Sequence, residues 1–290
     1  MAEINTSAKV AEVPAENIVR FQKENHLLKK KLHGLEVELL DVSSNPSFSA
    51  LETECISVIS VEGSCVFQEE GGVSVNLQRF DSIIVTPGKN CQLSGQGRCI
   101  VIRFQPDSAV KKNNTGRLSS FKKLKAVKDR FVMKLVPPVF RAILSPEELY
   151  LVVGPAGGRL QYGITGPDKQ LITIVKTPPG TGPALHVHTL TYEYFIVLEG
   201  TFRVFWGLDG EHEVTLNQYD AIAIPPGVNR AFENIGGENN WFMPVVIGAN
   251  DELEDIVWYE NIRDELAKKL SGFWMFLAST FVLKFIKRPG

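Results

Sequence analysis

The sequence predicts a mostly β chain of two similar barrels with flanking N- and C-terminal helices. Three observations carry this. Short runs rich in Val and Ile recur at close spacing: ISVISV, VSVNL, SIIV and CIVIRF in the first half, LITIVKT, YFIVLEG, FRVFWG, AIAIPPG and WFMPVVIG in the second. Glycines and Pro-Gly pairs punctuate them, as tight antiparallel connections require. The two sets of runs also read as copies of one unit.

Taken in order, residues 1–14 read as a disordered arm. Ile18, Phe21, Asn25, Leu28, Leu32, Leu35 and Leu39 then step alternately by three and four, the spacing of one helix face. Gly34 ends that helix, so 1–35 is an arm plus an N-terminal helix. A stripe this short serves either as an ordinary packed helix or as a coiled coil that pairs two copies. Residues 36–105 carry the first barrel. Residues 106–148 form a basic helical linker: ten Lys/Arg and two Asp lie between Pro106 and Arg141. Ser145-Pro146-Glu147-Glu148 resembles a helix start. Residues 149–260 return to strands and form the second barrel. Residues 261–290 are an apolar C-terminal helix with Lys268-Lys269 and Lys287-Arg288 at its ends. Its apolar run falls short of the roughly 20 residues that span a bilayer. It reads as a helix packed on a barrel or across a homodimer, an interfacial membrane helix, or a short tail anchor, with the membrane segment at 270–286.

The repeat is specific. Val75-x-Leu77-x3-Asp81-x-Ile83-x-Val85-x-Pro87-Gly88-x-Asn90 aligns without gaps to Val214-x-Leu216-x3-Asp220-x-Ile222-x-Ile224-x-Pro226-Gly227-x-Asn229. Upstream, VEGSCVF at 61–67 matches LEGTFRVF at 198–205. The alternation before each Pro-Gly puts Ile and Val on one inward face.

Composition narrows the function. The chain has 290 residues, 44% hydrophobic and 22% charged, with 17 Phe, enough for real cores rather than global disorder. Its formal net charge of -2 argues against general nucleic-acid binding, which needs an excess of cations. The polar start and four cysteines without CxxC spacing (Cys55, Cys65, Cys91, Cys99) read as a reduced, cytoplasmic protein.

The two copies differ chemically. The second reads Gly180-x5-His186-x-His188-x4-Glu193-x6-Gly200. Two residues apart on a strand, His186 and His188 point to one face, and Glu193 reaches the same cavity from the adjoining strand. Two imidazoles and a carboxylate leave open positions on a metal, the donor set of catalytic non-haem sites. The first copy has Ser49, Leu51 and Ile56 at the corresponding places, so its barrel reads as structural.

This spacing resembles the first motif of the cupin superfamily at every position. The second motif's frame is kept in Pro225-x-Gly227-x2-Arg230-x3-Asn234. Arg230 stands where the family has its fourth ligand, a His, and Tyr219 where it has a leading Gly. With the repeat, the chain resembles a bicupin, most like the quercetinase-type dioxygenases and related biosynthetic cupins. The resemblance implies two double-stranded β-helix (jelly-roll) barrels, the second holding a divalent metal: Fe2+ first, otherwise Mn2+, Ni2+, Cu2+ or Zn2+. Arg230 allows two outcomes. It swings away, and the metal sits on His186, His188 and Glu193. Or the metal is lost, and Arg230 pairs with Glu193. In the first case Arg230 binds a substrate carboxylate or enolate.

The expected function is therefore a metal-dependent cupin oxidoreductase, dioxygenase-like, acting on a small aromatic or enolic molecule. Glu193 and Arg230 are the catalytic candidates. Arg230, Tyr194, Phe205, Phe232 and Trp241 are the substrate-binding candidates. The alternatives are an isomerase, cyclase or lyase using the metal as Lewis acid, and a metal-free ligand-binding or assembly cupin.

Overall fold

In a computed structural model, residues 12–20, 27–72, 74–105, 117–127, 146–155, 160–166, 169–248, 255–281 and 283–288 are described. Strands β1 (Ile18–Val19), β2 (Leu27–Leu32), β3 (Leu35–Asp41), β4 (Ser47–Ser49), β5 (Cys55–Glu69), β6 (Val75–Leu77), β7 (Ser82–Ile84), β8 (Asn90–Phe104) and β9 (Leu118–Ser119) come first. They are followed by β10 (Glu148–Gly154), β11 (Ile164–Thr165), β12 (Gln170–Lys176), β13 (His186–His188), β14 (Tyr192–Glu199), β15 (Thr201–Trp206) and β16 (His212–Asn217). Then come β17 (Ala221–Ile224), β18 (Asn229–Asn234), β19 (Trp241–Ile247) and β20 (Ile256–Tyr259). Helices α1 (Glu260–Lys269) and α2 (Gly272–Phe281) and strand β21 (Phe285–Ile286) close the chain.

The mostly β, two-barrel architecture is as expected. In the first unit, β5 and β8, fifteen residues each, pair along their length in the sheet β2-β3-β8-β5-β7-β9. Its interior holds Ile56, Val58, Phe67, Leu77 and Leu93. The second unit is two sheets, β1-β17-β14-β19-β12-β10-β11 and β16-β15-β18-β13-β20-β21. Phe195, Phe202, Leu216, Ile222 and Phe242 fill the space between them. A third apolar layer joins the units: Leu35, Ile59 and Ile102 of the first pack with Ile174, Ile196 and Met243 of the second.

The duplication holds at the backbone. Phe80 and Tyr219 both have positive φ, 68° and 70°. Asp81 accepts from the amide of Gln78 at 3.0 Å, and Asp220 from that of Asn217 at 2.9 Å. The family frame has Gly where Tyr219 stands, and the left-handed backbone there is the reason. Tyr219 holds this costly conformation while its hydroxyl donates to Glu62 of the first barrel at 2.9 Å.

Three expectations are corrected. The N-terminal helix is not formed over the described residues: β2 and β3 make a hairpin, with Leu32 opposite Leu35. His33 and Gly34 both have positive φ (44° and 86°), the two-residue turn a right-twisted hairpin selects. Leu35 and Leu39 are four apart, which fits a helix face, but Leu35, Val37 and Leu39, at alternate positions, all pack into the layer between the barrels, which fits a strand. The hairpin won because its buried face meets the second barrel. Second, Ser145-Pro146-Glu147-Glu148 does not open a helix; Glu148 begins β10, which pairs with β12. Most of the basic linker (106–116 and 128–145) lies outside the described residues, and the part between contains β9 and a 3-10 turn at Phe121–Lys123. Third, the C-terminal segment is two ten-residue helices and a strand, broken around Leu270-Ser271. No helix among the described residues is long and apolar enough to cross a membrane.

Candidate metal centre

β13 lies between β18 and β20 in one sheet of the second barrel. His186 is directly opposite Arg230 across the β13–β18 pair. Glu193 lies on β14 in the facing sheet, between Ile224 and Val246. One donor atom from each of His186, His188 and Glu193 lies within 4.8 Å of the others. His188, Glu193 and Arg230 are buried; His186 is half-buried and marks the open side of the cluster.

Hydrogen bonds fix the imidazoles. His186 Nδ1 donates to the carbonyl of Ala184 at 2.8 Å. His188 Nδ1 donates to Asp255 Oδ1 at 3.0 Å. Asp255 is itself held by the amides of Leu190 (3.1 Å) and Thr191 (2.9 Å) and by the Thr191 hydroxyl (2.7 Å). With each Nδ1 bonded to an acceptor, each Nε2 is turned toward the cluster; His188 Nε2 is 3.8 Å from Glu193. Burial, then the charge of Arg230, push the His186 pKa down to about 3, so that ring is neutral at physiological pH. A neutral imidazole with a bonded Nδ1 is the form that ligates a metal.

Arg230 has not swung away. Its Nε and Nη2 donate to Glu193 Oε2 at 2.9 and 2.6 Å, and Nη1 donates to the carbonyls of His186 (3.4 Å) and Val228 (3.5 Å). Burial would raise the Glu193 pKa, but Arg230 and the two imidazoles hold it below the ordinary carboxylate value. Glu193 is an anion with one oxygen bound by the guanidinium. Arg230 does not engage Oε1. The three donors therefore fit a divalent cation in chemistry and in convergence. The guanidinium lies against the carboxylate without separating the three.

Of the other motif residues, Asn234 is a structural hub. It donates to the carbonyls of Thr177 (2.7 Å) and Gly237 (2.9 Å) and accepts from Asn240 (2.7 Å). A Cβ on Gly200 would come within 2.0 Å of that Asn240, and Gly200 has φ +88°; both facts require the glycine. Asn229 braces the loop after β15 through the carbonyls of Gly207 and Leu208. In the first barrel, Ile56 occupies the place of Glu193 and is buried in the apolar interior.

Most substrate-binding candidates fall elsewhere. Tyr194 neighbours Glu193 on β14 and so faces the opposite way, into the layer between barrels, its hydroxyl on the carbonyl of His33 at 3.1 Å. Trp241 lies in the same layer, among Phe80, Phe121 and Tyr150. Phe205 alternates with the buried Val204, and Arg203 covers its ring at 4.9 Å. Phe232 does face the interior, but it packs on Phe195, Phe202 and Phe242 as core. Arg230 is fully buried and engaged by protein acceptors, so it has no face for a substrate carboxylate. His212 is exposed beside Trp206 on β16 and lies outside the cluster.

Asp255 and Trp258 were missed. Asp255 is 67 residues from His188 along the chain and shares no spacing with the motif. The Trp258 ring is 6.3 Å from that of His186, on the strand beside β13. Only the pairing of β20 with β13 brings them to the site.

Comparison with known proteins agrees with this geometry. Residues 173–246 match the sequence family described as the cupin domain. The second barrel therefore matches a cupin domain over these residues, and the chain has a cupin fold. It is similar to AerE from Microcystis aeruginosa: TM-score 0.55, 12% identity, covering 80% of this chain and 97% of that one. It is similar to an oxalate decarboxylase in complex with formate from Lactobacillus farciminis: TM-score 0.54, 13% identity, 95% of each chain. A salicylate 1,2-dioxygenase variant in complex with gentisate, from Pseudoaminobacter salicylatoxidans, gives TM-score 0.51 at 11% identity, covering 74% of this chain and 69% of that chain. At these identities the likeness concerns fold. A search of curated protein sequences finds no match.

Proposed function

We propose that the second barrel binds a divalent metal ion, Fe2+ first, on His186, His188 and Glu193, and that the protein is a metal-dependent cupin oxidoreductase for a small enolic or aromatic molecule. The observation that carries this is the convergence of three donors with both Nδ1 atoms tied off. Nothing in a purely structural barrel interior needs two oriented imidazoles beside an ionised carboxylate. When bound, a redox-active ion would polarise an enolate and activate O2.

The protein groups have defined tasks. Ala184 and Asp255 hold the two rings in the ligating tautomer. Arg230 keeps Glu193 ionised and oriented; a carboxylate so held is a better ligand than general base. The half-buried edge of His186 is the side from which a substrate approaches. The wall on that side includes Trp258.

The fold is shared with a decarboxylase and a dioxygenase, so fold does not choose between redox and Lewis-acid chemistry. Turnover of enol and aromatic-acid panels by iron-loaded protein, with and without O2, makes the choice. The oxygenase reading expects product only with O2, and O2 uptake in step with substrate loss. Product formed equally under argon would assign an isomerase, cyclase or lyase instead. The Arg230–Glu193 ion pair specifically favours the other alternative, a metal-free cupin that binds a ligand. Metal content separates that case.

A further inference from the structure

The outer surface of α2 carries a feature that the cupin site does not use. Phe273 and Phe276 are each 65% exposed, and Trp274 is 38% exposed. At 3.6 residues per turn, Phe273 and Phe276 share one face, with Trp274 beside it. Met275, on the opposite face, packs into the cluster of Trp258, Ile262 and Leu266. Three large aromatics thus project from one short helix whose other side is anchored to the barrel.

The chain around this ridge is basic. Lys268, Lys269, Lys284 and Lys287 are exposed, and no Asp or Glu occurs between Leu266 and Gly290, in a chain of net charge -2; Arg288 is held by Asp209. α2 has ten residues, about 15 Å long, half of a hydrocarbon core. It therefore lies along a bilayer surface rather than through it. An aromatic face between clusters of cations matches the boundary of an anionic leaflet, where rings enter the acyl edge and lysines meet the headgroups. A second copy of the chain is a poor occupant. A two-fold contact on this ridge would bring the same cation clusters against each other.

We propose that α2 is a peripheral membrane-docking element that lays Phe273, Trp274 and Phe276 into the surface of an anionic lipid bilayer, with Lys268, Lys269 and Lys287 on the headgroups. The site would then work on molecules at or near a membrane. This is independent of whether the barrel holds metal.

The test uses the full-length protein and two kinds of vesicle, phosphatidylcholine alone and phosphatidylcholine with phosphatidylserine. The expected result is co-sedimentation with the serine-containing vesicles, weakened by salt. Lipids brominated in the acyl chain should quench wild-type fluorescence, and Trp274→Phe should abolish the quenching, which ties the contact to that ring without depending on a large change to the fold. Phe273→Ser with Phe276→Ser should lower vesicle affinity roughly tenfold or more. Lys268→Glu with Lys269→Glu should lower it by roughly fivefold per charge. Absence of binding to either vesicle overturns the proposal. So does binding with Trp274 unquenched. Concentration-dependent dimers lost in the double Phe variant, without vesicle binding, would assign the ridge to a second copy instead.

Discussion

Arg230 puts a permanent positive charge 2.6 Å from Glu193, opposite His186 in the strand register. Arg230→Ala leaves Glu193 buried without its cation, which is expected to cost about 3–5 kcal/mol. Urea unfolding of wild type and variant measures this, and a change below 1 kcal/mol would mean the pair is not buried as described. Asp255 acts one bond further out. Asp255→Asn can donate to His188 Nδ1 and so favours the wrong tautomer. Metal affinity should fall roughly tenfold to a hundredfold, and the 15N shifts of the His188 ring should report proton transfer to Nε2 in the metal-free protein. Unchanged shifts would show that Asp255 does not set the tautomer. The first two ligands and Glu193 were legible because strand geometry makes HxH a same-face pair. Arg230 was legible as a departure, and its pairing with Glu193 was one of two readings. Asp255 was not legible, because only the fold joins it to His188.

Arg117, immediately before β9, is tied to the β5–β7 side of the first barrel through one buried acid. Glu69 accepts from Arg117 Nη2 at 2.6 Å and Nη1 at 3.0 Å, and from the amide (2.8 Å) and hydroxyl (3.0 Å) of Thr86. Burial raises its pKa, but these donors outweigh that and hold it below the ordinary value. A depressed folded-state pKa means its contribution is full above the unfolded carboxylate value, about 4.3, and is lost as pH falls through the folded one. Tm measured from pH 6 downward should therefore fall less steeply for Glu69→Gln than for wild type; parallel curves would remove Glu69 from the acid response. At this scale the repeat was the most readable feature, since the Asp81 and Asp220 turns share a backbone form that fixes their sequence. The β2–β3 hairpin was the least readable. Gly34 marks either a helix end or a hairpin turn, and leucines at 35 and 39 suit both periods. The deciding contact, burial of Leu35, Val37 and Leu39 against the other barrel, is not local.

The two barrels share an apolar layer, and β1 crosses to pair with β17 of the second. Met243 is fully buried in that layer. Met243→Ala is expected to cost about 2–5 kcal/mol and to shift one cooperative transition seen equally by tryptophan fluorescence and far-UV circular dichroism. Two separated transitions would mean that the barrels unfold independently. The duplication was legible in the sequence; the layer joining the copies was not, because Tyr194 and Trp241 were read as facing a cavity. Alternation along β14 places Glu193 and Tyr194 on opposite faces, so one serves the site and the other the joint. The central claim, a divalent ion on His186, His188 and Glu193, is tested most directly by elemental mass spectrometry. The samples are purified wild type, His186→Ala and Glu193→Gln, each reconstituted in turn with Fe, Mn, Ni, Cu and Zn. Close to one equivalent of one metal in wild type, lost in both variants with their folds intact by circular dichroism, is the predicted result. No metal retained by wild type under any reconstitution would contradict it and leave the Arg230–Glu193 pair as the centre of a metal-free cupin.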